Sequence, residues 1–463
     1  MKRLVIDPVS RIEGHGKVVI DVDDAGEVLS ARFRILEFRG FEKFCEGRPV
    51  WELPLLVTKI CGICPVPHHL ASVKAAEAAL GVGDIPPAAV LLRRLLQAGG
   101  DLADHALHFF YLALPDFLLG ETVAPRDRSI IEVARRDPAL AERAIALRKA
   151  GIDIAEAVGG HAVYPVTAIP GGMSKGLSAE DRGRLRSAVE AVLPTAETAV
   201  EMAFSLVGRR AAAEALSQET VFMAMIGPDG GPDHYRGLIR MTSADGTLLE
   251  EFPPEKYLHQ IAEYVEDDTW CKFPYYRKMG VRDGNYRVGP LARLNIAASL
   301  PHPRSAARLA AYRELTGGRP HLNVHHYHLA RAIELLAACE EALALLDDPG
   351  IVSADYRIPA TRRAGEGVGA VEAPRGTLIH HYTCDDNGFV TSVNLIVPTT
   401  HNNLSINRAA ESAARLYLKN GVLDDAASLG IETAIRAFDP CLSCSTHEAG
   451  RPAFTIEVRR PHG

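Results

Sequence analysis

The stretch Lys59-Ile-Cys-Gly-Ile-Cys-Pro-Val-Pro-His68 carries a C-x-x-C pair at Cys61 and Cys64, and Asp439-Pro-Cys-Leu-Ser-Cys-Ser-Thr-His447 carries a second at Cys441 and Cys444. In each, two sulfurs separated by two residues can bend onto one metal, and Gly62 eases the tight turn of the first. A helix is expected to open at Pro65, and its free amides would favour thiolate at Cys64. Four thiolates are soft donors, suited to nickel, iron, zinc or copper(I) and poor for calcium or magnesium. The commonest use of two such pairs is a structural zinc site. Zinc ribbons keep their pairs close, however, whereas 376 residues separate Cys64 from Cys441. Independent redox dithiols would need a thioredoxin-like βαβ setting, which is not evident here. Spacing alone leaves these alternatives open.

The rest of the 463 residues sets the context. Hydrophobic residues at 47% and charged residues at 24% are globular values and exclude global disorder. A net charge of −7 argues against nucleic acid as the main ligand. The best candidate for a membrane span, residues 102–120, contains Asp104, His105, His108 and Asp116, so a buried helix is expected instead. The N-terminal MKRLVIDPVSRIEGHG lacks an apolar core and a small-residue cleavage site, so a cytoplasmic chain is expected.

Around the cysteine pairs the chain alternates in texture. KRLVID, GKVVIDV and LSARFRILEF read as strands, the last two joined by a turn at Asp23–Gly26. Helices are expected over 65–80, from Pro86 or Pro87 to Pro115, over 178–217 with a kink or break at Pro194, and over 303–316 and 324–346. Residues 219–301 read as loops and short strands. A hairpin is expected over 376–397, turning at Asp386–Gly388, with helices again over 403–419 and 424–438. The fold class is therefore α+β: a large helical bundle core with long helices and small peripheral β-sheets. One interlocked domain is expected, β-rich over 1–45, mainly helical over 60–350, β-rich over 376–397 and helical over 403–447.

The two cysteine pairs resemble the signatures of the large, catalytic subunit of nickel–iron hydrogenases. Further segments are similar in the same order: Asp7-Pro-Val-Ser-Arg-Ile-Glu-Gly-His15, Phe38-Arg-Gly-Phe-Glu42, Gly159-Gly-His161, Pro170-Gly-Gly172, Glu372-Ala-Pro-Arg-Gly376 and Val397-Pro-Thr-Thr400. The resemblance implies that Cys61 and Cys441 are terminal nickel ligands, while Cys64 and Cys444 bridge nickel to an iron bearing carbon monoxide and cyanide. It implies reversible heterolysis of H2 to hydride and proton, followed by loss of two electrons. Glu13 would relay the proton. Arg375 would cover the open metal site, with Asp116 and Asp439 beside it. A magnesium or ferrous ion would be held by Glu42, His447 and the backbone carbonyl of Ile396.

By the same resemblance, a dedicated endopeptidase would cut after His447, releasing the 16-residue tail Glu448–Gly463. No cysteine cluster remains for an iron–sulfur centre, which implies that electrons pass to an iron–sulfur small subunit. The Pro-Val-Pro-His-His run after Cys64 and the Asp-Pro-Cys-Leu-Ser-Cys-Ser-Thr-His form are most similar to the cytoplasmic multisubunit group. That group has diaphorase or heterodisulfide-reductase partners serving NAD(P), coenzyme F420 or a heterodisulfide. The contrasting readings are the quinone-site relative in complex I, which has lost metal ligands, a non-catalytic H2 sensor, and a zinc-stabilised scaffold. Retention of all four cysteines argues against the complex I relative.

Other features carry less. His321, His325 and His328 have helical spacing but no nearby carboxylate or thiolate, so core and capping roles are expected. Gly365-Glu-Gly-Val-Gly369 lacks the spacing of a nucleotide loop. Cys45, Cys271, Cys339 and Cys384 are expected to be small buried hydrophobes.

Overall fold

The computed structural model describes residues 2–120, 123–210, 214–360 and 365–446. Its first three strands, β1 (Lys2–Ile6), β2 (Gly16–Val22) and β3 (Val28–Ile35), form an antiparallel sheet with Val5 opposite Val19 and Ile20 opposite Ala31. Val18, Ile20 and Val22 alternate into the core, as a half-buried strand requires.

The centre is helical. Helix α1 (Pro65–Leu80) opens on Pro65, where the missing amide costs nothing, and ends at Gly81 with φ 65°. Helices α2 (Pro87–Ala106), α3 (Pro138–Gly159), α4 (Ala179–Arg210) and α5 (His326–Asp347) pack as a bundle, α2 lying against α3 and α5, and α4 against both α3 and α5. Pro194 does not divide α4. It removes one amide, but Ala196, Ala199, Val200 and Ala203 beyond it remain buried, and that packing holds the helix continuous.

The end expected at Pro115 is also displaced. After Ala106 the backbone widens into a π-helical stretch, Leu107–Ala113, and Pro115 then falls in the first turn of the short helix Leu114–Leu118. Among the described residues no helix is long and apolar enough to cross a membrane.

Within 219–301, a four-stranded sheet has the order Tyr286–Arg287, Val221–Ile226, Leu238–Thr242, Leu248–Phe252. Residues 366–396 form a further antiparallel sheet of three strands. The expected hairpin turns where Asp385 Oδ1 accepts the amides of Asn387 and Phe389, both at 2.9 Å. The strand Glu366–Ala373 is added to it, so Gly365–Gly369 leads into and begins a strand. This strand lies directly on α1. A Cβ at Gly367 would come within 2.2 Å of Ala75 O, and one at Gly369 within 2.1 Å of Ala71 O. Those glycines are there for space. Two C-terminal helices, Pro398–Tyr417 and Asp425–Ala437, pack together and lead to the second cysteine pair.

Candidate metal centre

Cys61 follows a short 3-10 turn (Val57–Ile60), and Cys64 stands at the N-cap of α1. Cys441 follows the helix Asp425–Ala437 through Asp439, whose φ of 55° turns the chain inward. The Cys441 amide donates to Thr399 Oγ1 at 2.9 Å, and the Leu442 amide donates to Glu13 O at 3.1 Å. Opposite ends of the sequence are thereby stitched together. The sulfurs converge: Cys61–Cys441 3.4 Å, Cys64–Cys444 3.3 Å, Cys64–Cys441 3.9 Å and Cys441–Cys444 3.1 Å. All four lie within 4.8 Å of one another and are buried. Beside them is a cavity of about 10 Å³ touching His68, Arg375 and Thr399, room for one very small molecule.

The electrostatics call for a cation. Hydrogen bonds from Cys441, Cys444 and Cys64 pull the Cys61 thiol below its ordinary range. Burial and the neighbouring sulfurs push Cys441 and Cys444 well above it. Four buried sulfurs this close can all be thiolates only around positive charge. The soft donor set and the convergence both fit nickel and iron.

Glu13 reaches the same sulfurs from the N-terminal segment. Its Oε2 lies 3.2 Å from Cys441 Sγ and accepts the Ser443 amide at 2.9 Å, while Oε1 accepts the Ser443 hydroxyl. Arg375 lies in the turn between Glu366–Ala373 and Gly376–Cys384. Its Nε donates to Asp439 O at 2.7 Å, Nη1 to Asp104 Oδ2 at 2.7 Å, and Nη2 to Asp104 Oδ1 at 3.0 Å and Asp439 Oδ1 at 3.2 Å. Burial pushes Asp104 up to about 7, against the pull of Arg375.

The turn itself is braced from below by Arg293, which donates to Ala373 O and Pro374 O while pairing with Glu334 and Glu372. Asp439 therefore stands beside Arg375, as expected, but Asp116 forms its ion pairs with Arg11 and Arg436. The second carboxylate on Arg375 is Asp104. Sequence reading passed over Asp104, Ser443 and His68 as site residues. His68 alone had a signal, being four residues beyond Cys64 on the helix that Cys64 caps; its Nε2 lies 3.4 Å from Cys444 Sγ.

Glu42 sits in the short helix Phe41–Cys45, buried, with Oε1 accepting Lys272 Nζ at 2.9 Å and the Leu395 amide at 2.7 Å. Lys272 also donates to Asn394 Oδ1 at 2.7 Å and lies 3.3 Å from Glu263. Ile396 is the next residue along the strand Val390–Ile396 and is buried. His447 and the tail lie outside the described residues; the last described residue, Thr446, accepts the amides of Arg39 and Gly40 through its carbonyl.

His321, His325 and His328 are buried; His321 Nε2 bonds Tyr312 O at 2.8 Å, and His328 stacks on His108. Cys45, Cys271 and Cys339 are buried and their thiols pushed up to about 12, while Cys384 is half-buried. Among the described residues, the four site cysteines are the only group of three or more such side chains placed to hold a metal.

Comparison with known proteins places this geometry. The nickel-dependent hydrogenase family model matches residues 39–129 and 236–447, and a HoxL-like model matches residues 3–38. One chain of the F420-non-reducing hydrogenase of Methanothermobacter thermautotrophicus is 40% identical, the match covering 100% of this chain and 99% of that one. The beta subunit of the NAD-reducing hydrogenase HoxS of Cupriavidus necator is 38% identical over 99% of this chain and 97% of its own. A crystal structure of an NAD+-reducing nickel–iron hydrogenase in the H2-reduced state superposes with a TM-score of 0.93 at 43% identity, covering 96% of this chain and 100% of that one. The Ni-Fe-Se hydrogenase of D. vulgaris Hildenborough, at 23% identity and TM-score 0.76, shares the fold. A buried four-sulfur pocket, a family model matching most of the chain and relatives matched end to end agree: this chain belongs to the nickel-dependent hydrogenases.

Proposed function

We propose that this chain is the catalytic subunit of a cytoplasmic nickel–iron hydrogenase, in which Cys61 and Cys441 would hold nickel and Cys64 and Cys444 would hold both nickel and an iron bearing carbon monoxide and cyanide. The observation that carries the reading is the convergence of four buried sulfurs from residues 61–64 and 441–444. When bound, the centre supplies polarisation of H2 and a store for two electrons.

The chain's own residues do the rest. Cys441 Sγ is 3.2 Å from Glu13 Oε2, within reach for the carboxylate to take a proton from the sulfur and return it in the reverse direction. Ser443 holds that carboxylate by amide and hydroxyl, fixing its aim. Arg375, anchored by Asp104 and Asp439, presents fixed positive charge towards the cavity and suits the anionic cyanides. The apolar lining of Pro67, Leu378 and Pro398 keeps bulk water out.

Electrons would leave through an iron–sulfur partner subunit, a reading supported by relatives that are single subunits of larger hydrogenases. Diaphorase or heterodisulfide-reductase subunits would follow it, and the NAD-reducing relative supports the first of these. Glu42, the Ile396 carbonyl and His447 would hold a hard cation, with Lys272 beside it sharing the charge of Glu42.

The test is elemental analysis of the purified complex together with H2-driven dye reduction. Nickel and iron near one each in this subunit, with turnover, are expected; zinc alone would refute the reading. Nickel and iron without turnover would favour the H2 sensor.

A further inference from the structure

Arg11 (φ 53°) and Asp439 (φ 55°) both hold a left-handed backbone, and each stands two positions before a reacting group, Glu13 and Cys441. Arginine keeps such a backbone only where its surroundings hold it. The surroundings of Arg11 are specific. Its Nη1 donates to Leu112 O at 2.7 Å, on the widened π-helical stretch, and its Nη2 donates to Asp116 Oδ1. The other oxygen of Asp116 accepts Arg436 Nη1. Arg436 lies on the helix Asp425–Ala437 and also donates to Ser10 O at 2.7 Å. Glu432, one turn earlier on that helix, accepts the Ser10 amide at 2.8 Å and its hydroxyl at 3.0 Å.

Asp116 is therefore a buried carboxylate shared by two arginines, one just ahead of Glu13 and the other on the helix that leads to Cys441. Burial and the nearby charge of Arg436 pull the Arg11 guanidinium below its ordinary range, so the two like charges are close enough to repel. The carboxylate between them turns that repulsion into a bridge. Removing its charge leaves a buried cation uncompensated. Arg11 is the member able to turn to water, since its side chain is 15% exposed while that of Arg436 is 0%. Its departure would release Leu112 O, the backbone turn at Arg11 and, two residues on, the aim of Glu13.

We propose that Asp116 is a positioning residue for proton transfer: by joining Arg11 to Arg436 it holds the segment of Glu13 against the helix of Cys441 and sets the 3.2 Å gap between Glu13 Oε2 and Cys441 Sγ. The proposal rests on the relay role given to Glu13 above. Leu442 and Ser443 hold Glu13 from the cysteine loop, and the Asp116 bridge holds it from the chain that leads in. Asp116 acts on distance and not on the proton itself. A misplacement of about 1 Å slows a reaction about 100-fold.

The experiment compares Asp116→Asn with the unaltered holoenzyme and with Glu13→Gln, each as the purified complex with nickel and iron counted. Asn keeps the shape of the side chain and removes its charge. Exchange between D2 and water per bound nickel is expected to fall about 10- to 100-fold in Asp116→Asn, while the carbonyl and cyanide infrared bands stay in place. H2-driven dye reduction, compared in H2O and D2O, should show a larger solvent isotope effect, because proton transfer then limits the rate. A merely structural loss lowers the number of active molecules and leaves that ratio unchanged.

Exchange per nickel within a few-fold of normal, or a fall with an unchanged isotope effect, would overturn the proposal. If Asp116→Asn fails to load metal, Arg11→Lys decides by the same two readings: the charge stays, but an ammonium lacks the fork that spans Leu112 O and Asp116. Failure of both variants to load would make the bridge a support of the fold and overturn the proposal as well. Normal exchange in metal-loaded Glu13→Gln would overturn the relay role itself, whereas impaired Glu13→Gln beside unimpaired Asp116→Asn would overturn the positioning alone.

Discussion

Replacing Glu13 by Gln changes one atom and separates proton transfer from architecture. The carboxylate has two jobs: it accepts the Ser443 amide at 2.9 Å, and it faces Cys441 Sγ at 3.2 Å. A Gln side chain keeps an oxygen for the Ser443 amide, so the structural cost should stay near that of one neutral hydrogen bond, about 1 kcal/mol. It cannot take up a proton. Removing a positioned acid–base group slows a reaction about 100- to 10,000-fold, or about 3–5 kcal/mol on the barrier. Isotope exchange between D2 and water, followed by mass spectrometry, should fall by that factor while nickel, iron and the unfolding midpoint stay close to the unaltered protein. Exchange within a few-fold of normal in a metal-loaded variant would show that protons leave the centre by another route, and the role of Glu13 would be withdrawn.

Three further outcomes are expected. Cys444→Ser replaces a soft thiolate by a hard hydroxyl and should abolish assembly of the two-metal centre, read as loss of iron and nickel by elemental analysis. Arg293→Met leaves the buried Glu334 and Glu372 without their shared partner and should cost about 3–5 kcal/mol in denaturant unfolding, a large part of a typical total. Its pH dependence should reverse as well. Burial raises Glu334, but Arg293 outweighs it and holds the carboxyl below its ordinary range, so the native protein loses this contribution as pH falls below about 4.3. Without Arg293 burial lifts the folded value above the unfolded one, and stability should fall as pH rises; a midpoint rising between about pH 5 and 8 would contradict this. Finally, mass spectrometry of active enzyme should show a chain ending at His447, and active enzyme retaining Gly463 would refute the cleavage.

The sequence made some of this legible and concealed the rest for physical reasons. Helix α1 was readable because Pro65 and Gly81 mark its ends. The turn near Asp386 was readable because Asp-Asn-Gly is local chemistry. Pro194 misled because a single lost amide weighs less than the buried face of a 32-residue helix. Asp104 was invisible as a partner of Arg375 because the two are 271 positions apart in the sequence, and a carboxylate on a helix shows nothing of what packs over it. The ion pairs of Asp116 were hidden for the same reason. Its partners, Arg11 and Arg436, come from the two ends of the chain. Likewise, nothing local announces that Lys272 shares Glu42.

The bare backbone at Gly367 and Gly369 has a mechanical consequence. Helix α1 begins at the Cys64 sulfur, and the strand pressed onto it runs straight to the turn that holds Arg375. With no side chain as a cushion, the two are in effect one rigid part. Even a methyl group at either glycine, far from the chemistry, would wedge that part open and should move the sulfur and the guanidinium apart together.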